Sequence, residues 1–141
     1  MSVYGLKTEA SFDSAHFLTD YHGRCENLHG HRWRVVVFVG ADDLGHAGTE
    51  RDMVMDFARF KRDVREVVAD FDHVLLVEEG SLKASTVAAL ESEGFALKVL
   101  PFRTTAENLA HNFFDLLEAR GLPVCKVEVY ETPLNCASYG R

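Results

Sequence analysis

The sequence predicts an α+β fold in which helices cover one face of an antiparallel sheet. Three observations predict it. The run 31–40 (His-Arg-Trp-Arg-Val-Val-Val-Phe-Val-Gly) is rich in β-branched residues and ends at glycine, as a strand does. After Asp56 the apolar residues change to helical spacing, and they do so again after Thr105. The closing run 124–131 alternates Val, Cys, Lys, Val, Glu, Val, Tyr, Glu and reads as a last strand.

Taken in order, residues 3–15 form a first strand with Tyr4, Leu6 and Phe12 on a half-buried surface. Residues 17–28 carry Thr-Asp, His-Gly and Glu-Asn pairs and form a loop, and 41–52 is a long polar turn. Asp56 is a reasonable N-cap for a helix with Phe57, Phe60, Val64, Val67, Val68 and Phe71 on its apolar face. Between 72 and 103 the pattern is less regular: an apolar stretch at 74–77, a short helix over 82–90 and a short strand over 95–100. Thr104-Thr-Ala-Glu107 has the form of a capping box. Ala106, Leu109, Ala110, Phe113, Phe114 and Leu117 give the face of the helix that follows, and Gly121 with Pro123 ends it. So small a sheet leaves open edges, and pairing between subunits is one way to cover them, so a homo-oligomer is expected.

Composition narrows the function classes. A length of 141 residues suits one domain, 1–141. A hydrophobic fraction of 47% and ten phenylalanines argue against disorder. A net charge of −7 and no long basic run disfavour nucleic-acid binding. No apolar stretch reaches spanning length and the first residues lack a signal core, so no membrane association and a cytoplasmic location are expected. The three cysteines, Cys25, Cys125 and Cys136, fit reduced thiols better than a disulfide framework.

The chemistry concentrates between residues 16 and 31. His16 closes the first strand, and Cys25-Glu-Asn-Leu-His29-Gly-His31 leads into the second. In an extended strand the i, i+2 spacing puts His29 and His31 on one face, and His16 could arrive from the neighbouring strand. Three neutral imidazoles with an open fourth position describe a catalytic zinc site. A His-Gly-His turn with two solvated imidazoles is the bland alternative; the third histidine and the nearby cysteine weigh against it. A thiol near a bound cation shifts toward thiolate, so Cys25 is a candidate base or nucleophile. Asp72-His73 follows the first helix directly and could be an acid–base pair, or only a polar turn; adjacent residues of a regular strand cannot point their side chains together. Glu131, at the end of the last strand, could accept hydrogen bonds from a heterocycle, or be a solvated strand end. Arg32, Arg34 and Arg103 could meet anionic groups, with a solvated face as the default for each.

Together these blocks resemble the 6-pyruvoyltetrahydropterin synthase / 6-carboxytetrahydropterin synthase superfamily. The resemblance runs through Phe12-Asp-Ser-Ala-His16, Cys25 to His31, Met53-Val-Met-Asp56-Phe57, Asp72-His73-Val-Leu-Leu76, Thr105-Ala-Glu107-Asn108 and Glu131-Thr132-Pro133, and so covers nearly the whole chain. The three-residue spacer between Cys25 and His29 resembles the bacterial carboxy-forming branch.

The resemblance implies a tunnelling fold, with two helices on one face of an antiparallel sheet that oligomerises into a barrel, commonly a hexamer built as a dimer of trimers with sites at subunit interfaces. It implies zinc on His16, His29 and His31, Cys25 as base, and Asp72 and His73 as acid–base partners, with the groups of one site able to come from different chains. It implies a pterin site at Glu131 with Thr104, Thr105 and Glu107. The implied reaction converts 7,8-dihydroneopterin triphosphate to 6-carboxy-5,6,7,8-tetrahydropterin. The alternatives are a pyruvoyl-forming synthase or related side-chain lyase, and a zinc-stabilised pterin-binding module without catalysis. Three features depart from the family pattern: Leu76-Val77 stands where Leu-Asn is usual, Arg103-Thr104 stands where Asn-Pro is frequent, and 78–100 is long.

Overall fold

A computed structural model describes residues 2–141. Its elements run β1 (Tyr4–His16), β2 (His29–Ala41), α1 (Phe57–Ala69), β3 (Leu75–Glu78), α2 (Ala84–Ser92), β4 (Leu97–Leu100), α3 (Ala106–Ala119), β5 (Val124–Tyr130) and β6 (Cys136–Gly140). The strands form one six-stranded sheet in the order β4-β3-β1-β2-β5-β6. The α+β class and the packing of two long helices on one face are as the sequence predicts.

The sheet is antiparallel only in part. β1 pairs with β2, β2 with β5, and β5 with β6 in antiparallel fashion. β3 joins β1 in parallel at Ala15 and Leu75, and β4 runs parallel to β3. The reason is the crossover through α2, which returns the chain to the same end of the sheet so that β4 repeats the direction of β3. α2 adds no buried residue to the core. The last strand, β6, is absent from the sequence reading. Its Cys-Ala-Ser-Tyr-Gly carries little β preference, and only the faint alternation of Ala137 and Tyr139 marks it.

Period-two alternation sorts β1 and β2 cleanly. On β1 the residues Phe12, Ser14 and His16 face the helices; on β2 the same face carries His29, His31, Trp33, Val35, Val37 and Val39. α1 lays Phe60, Val64, Val67 and Val68 on this face, and α3 lays Leu109, Ala110, Phe113, Phe114 and Leu117. Each buried Val, Leu or Phe among them is worth about 1.5–3 kcal/mol in water exclusion. Asp56 caps α1, its side chain accepting from the Ala58 amide at 3.1 Å. The capping box at α3 is shifted by one residue. Thr105, not Thr104, is the N-cap and accepts from Asn108 N at 3.2 Å, so Glu107 is free of a capping role.

Candidate active site

The β1–β2 register sets the site. His16 lies opposite His29 and Ser14 opposite His31, so three inward-facing imidazoles gather at one end of the strand pair. Their ring centroids stand 4.7–5.2 Å apart. One ligand atom from each lies within 4.8 Å of the others. Trp33 forms the floor, edge-on to His16 at 4.9 Å and to His31 at 5.1 Å, and its indole N–H donates to the Ser14 carbonyl.

The outer nitrogens orient two of the rings. His16 Nδ1 is 2.8 Å from the Thr104 carbonyl and 3.2 Å from its hydroxyl. His29 Nδ1 is 2.6 Å from the Asn27 carbonyl. With Nδ1 carrying the proton toward those carbonyls, Nε2 is left as the free lone pair. The Nε2 atoms of all three histidines are buried and have no hydrogen-bond partner among the described residues. Orphaned buried acceptors are costly, and three converging on one point fit a divalent cation. Burial, helped by the two neighbouring imidazoles, pushes His16 down to about 4. Burial also lowers His31, against the pull of Glu131. Both rings are therefore neutral at pH 7, the state in which an imidazole can ligate.

Glu131 faces the trio from the end of β5, its Oε1 3.6 Å from both His16 Nε2 and His31 Nε2. It stands at the junction of two clefts. One, about 390 Å³, is shared with Glu107, Asn135 and the start of β6. The other, about 420 Å³, is shared with Gly30, His31, Arg34 and Tyr130. Thr104 lies apart from both: it is fully buried, and its polar atoms go to His16 and to the Phe17 carbonyl. The Thr105 hydroxyl is used by the helix cap.

Asp72 and His73 do meet within one chain, contrary to the expectation for adjacent strand residues. They lie on a turn after α1, where His73 takes the left-handed φ of 56°. That twist brings His73 Nδ1 to 2.9 Å from Asp72 Oδ2. The turn is sewn to β1: Asp13 N–H donates to Asp72 Oδ1 at 2.8 Å, and His73 N–H donates to the Asp13 carbonyl at 2.7 Å. The Ser14 hydroxyl donates to the Phe71 carbonyl beside them. The Asp13 amide, aided by His73, holds the Asp72 carboxyl below the usual carboxylate range. His73 and His31 border the same cavity of about 600 Å³ in a single chain.

Cys25 sits on a one-turn 3-10 helix, Arg24–Glu26, inside the loop that links β1 to β2. It is half-buried and unbridged. Its carbonyl accepts from Leu18 N at 2.9 Å, which folds the loop back on the end of β1.

A family model for 6-pyruvoyl tetrahydropterin synthase matches residues 5–141. The chain belongs to this family. A family relative named 6-carboxy-5,6,7,8-tetrahydropterin synthase, from Haemophilus influenzae, is 34% identical over 143 aligned residues, covering 97% of this chain and 99% of the relative. One of the same name from Aquifex aeolicus is 34% identical and covers 82% of this chain and 75% of its own. Among solved structures, a 6-pyruvoyltetrahydropterin synthase from Plasmodium vivax superposes with a TM-score of 0.74 at 20% identity, covering 98% of this chain and 97% of that one. An uncharacterized protein from Wolinella succinogenes gives 0.78 at 21%, covering 98% of both chains. At those identities the two structures establish a shared fold, the tunnelling fold of the 6-pyruvoyl tetrahydropterin synthase family.

In this family member, Asp13, Asn27 and Trp33 also build the site, and their residue types give no sign of it in the sequence. Asp13 and Asn27 act through backbone groups, which leave no side-chain signature. Trp33 reads as ordinary core until the β1–β2 register is known.

Proposed function

We propose that this chain converts 7,8-dihydroneopterin triphosphate to 6-carboxy-5,6,7,8-tetrahydropterin, releasing acetaldehyde and triphosphate, as a step toward 7-deazapurines such as queuosine. The observation that carries the reading is the trio of buried, partnerless Nε2 atoms on His16, His29 and His31. These three would hold zinc, the ion suited to neutral imidazoles with a fourth position left open. Zinc there would supply Lewis-acid polarisation of the substrate's side-chain oxygens.

The remaining roles belong to the chain itself. Cys25, as thiolate, takes a carbon-bound proton from the side chain. His73, oriented and charge-balanced by Asp72 at 2.9 Å, returns or relays it. Glu131, an acceptor through both oxygens, holds the amino and ring N–H groups of the pterin, with Glu107 lining the same cleft. Thr104, buried apart from that cleft, fixes the tautomer of His16, and Thr105 caps the helix that carries Glu107. The working unit in this reading is a cytoplasmic homo-oligomer, a dimer of trimers. The names of the relatives in Haemophilus influenzae and Aquifex aeolicus favour the carboxy product over the pyruvoyl one.

The test is incubation of zinc-replete protein with 7,8-dihydroneopterin triphosphate, with products identified by mass spectrometry. Carboxytetrahydropterin with acetaldehyde is the expected result. A pyruvoyl product moves the chain to the sister activity, and bound but unchanged pterin makes it a binding module.

A further inference from the structure

The loop between His16 and His29 carries Cys25, yet it has few apolar anchors of its own. Two attachments secure its first residues: the Thr104 hydroxyl reaches the Phe17 carbonyl at 3.4 Å, and the Thr19 hydroxyl donates to Glu78. The half of the loop nearest Cys25 has a different attachment. Arg103 places its guanidinium over the ring of Tyr21, 5.9 Å from the centroid. Gly23, which caps the Cys25 turn, lies against the same ring; a Cβ at that position would come within 2.7 Å of Tyr21 Cε1.

Arg103 is unusual among the cations of this chain. Its Nε is buried without a hydrogen-bond partner among the described residues. A guanidinium is held in such a place by the face of an aromatic ring, which suits its planar, weakly hydrated cation. Its backbone is equally fixed. The Arg103 carbonyl accepts from Thr105 N at 2.8 Å and from Asn108 Nδ2 at 2.9 Å, so the residue is welded to the start of α3. The next residue, Thr104, orients His16.

We infer that Arg103 is a positioning residue: through Tyr21 and Gly23 it clamps the Cys25 turn to the same α3 terminus that orients His16. Its effect on turnover rests on the proposed role of Cys25 as base; the clamp itself does not. One member of the clamp stands where the chain departs from the usual family pattern, since Arg103 occupies a place where asparagine is frequent.

The experiment compares Arg103→Met, Tyr21→Leu and the double variant with the conservative Arg103→Lys and Tyr21→Phe, all zinc-loaded. The first readout is the rate of Cys25 alkylation by iodoacetamide across pH, quantified by peptide mass spectrometry with Cys125 and Cys136 as internal controls. An exposed cation–π contact corresponds to a change of about two- to fivefold, so Arg103→Met and Tyr21→Leu each speed Cys25 alkylation by about that factor. The double variant adds little to either single one, because both remove the same contact. Arg103→Lys and Tyr21→Phe restore most of the protection. The second readout is steady-state kinetics, in which kcat falls by a similar factor while KM is nearly unchanged. Unchanged alkylation in both disrupting variants overturns the clamp, as does a fully additive double variant. Faster alkylation with unaltered kcat upholds the clamp and instead overturns Cys25 as the base.

Discussion

The two ends of the proposed chemistry are built in opposite ways. The imidazole trio is dry: its Nε2 atoms are buried, its floor is Trp33, and its geometry follows from the β1–β2 register. The proposed acid–base groups are tethered and nearer to solvent. Asp72 and His73 sit on an exposed turn held by the Asp13 peptide, and Cys25 rides on a loop. The difference teaches that metal affinity and proton transfer ask for different surroundings. Ligands benefit from exclusion of water and fixed tautomers. Groups that exchange protons must stay close to solvent and to a charge partner.

The comparison can be broken most severely at the dry end. His29→Ala should reduce zinc from about one ion per chain to almost none by elemental analysis, since structural completeness of the ligand set governs binding. Zinc retained at full stoichiometry would sink the ligand assignment. Cys25→Ala should do the opposite, keeping zinc and pterin binding while kcat falls at least about 100-fold. Turnover near that of the parent protein would remove Cys25 from the mechanism.

Thr104→Val sharpens the contrast more gently. It deletes the hydroxyl 3.2 Å from His16 Nδ1 and leaves the carbonyl, so zinc affinity should fall about tenfold in a chelator competition, with little change in fold. The smallest effect is on stability. In zinc-free protein, His16 binds its proton at about 4 when folded, against 6.5 when unfolded. Between those values the unfolded chain carries the extra proton. The contribution of a neutral His16 is therefore fully present above pH 6.5 and is lost as pH falls toward 4. Thermal melts should fall over that window, and His16→Gln should flatten the dependence.

Much of this was legible in the residues themselves. Alternation and β-branching located β1, β2 and β5, and three-four spacing located α1 and α3, because each segment buries one face. The i, i+2 histidines could be placed on a common face by strand geometry alone. What stayed hidden depended on pairing or on backbone groups. The parallel addition of β4 to β3 follows from the α2 crossover, and that of β3 to β1 leaves no local pattern. The cap at Thr105 instead of Thr104 turns on a single residue's backbone angles. The meeting of Asp72 with His73 needs a left-handed φ, which histidine adopts more readily than most residues but does not announce.

That left-handed turn has one more consequence. Asp72 and His73 grip the two sides of the Asp13 peptide, and His16 stands three residues further along the same strand. β1 thus acts as a gauge, spacing the proposed proton-handling pair from the imidazoles by a count of residues, about 10 Å along an extended chain. Substitutions between Asp13 and His16 leave that gauge intact. One inserted residue there would lengthen it and swing His16 to the opposite face of the sheet, parting it from His29 and His31 while Asp72 and His73 stay anchored to Asp13.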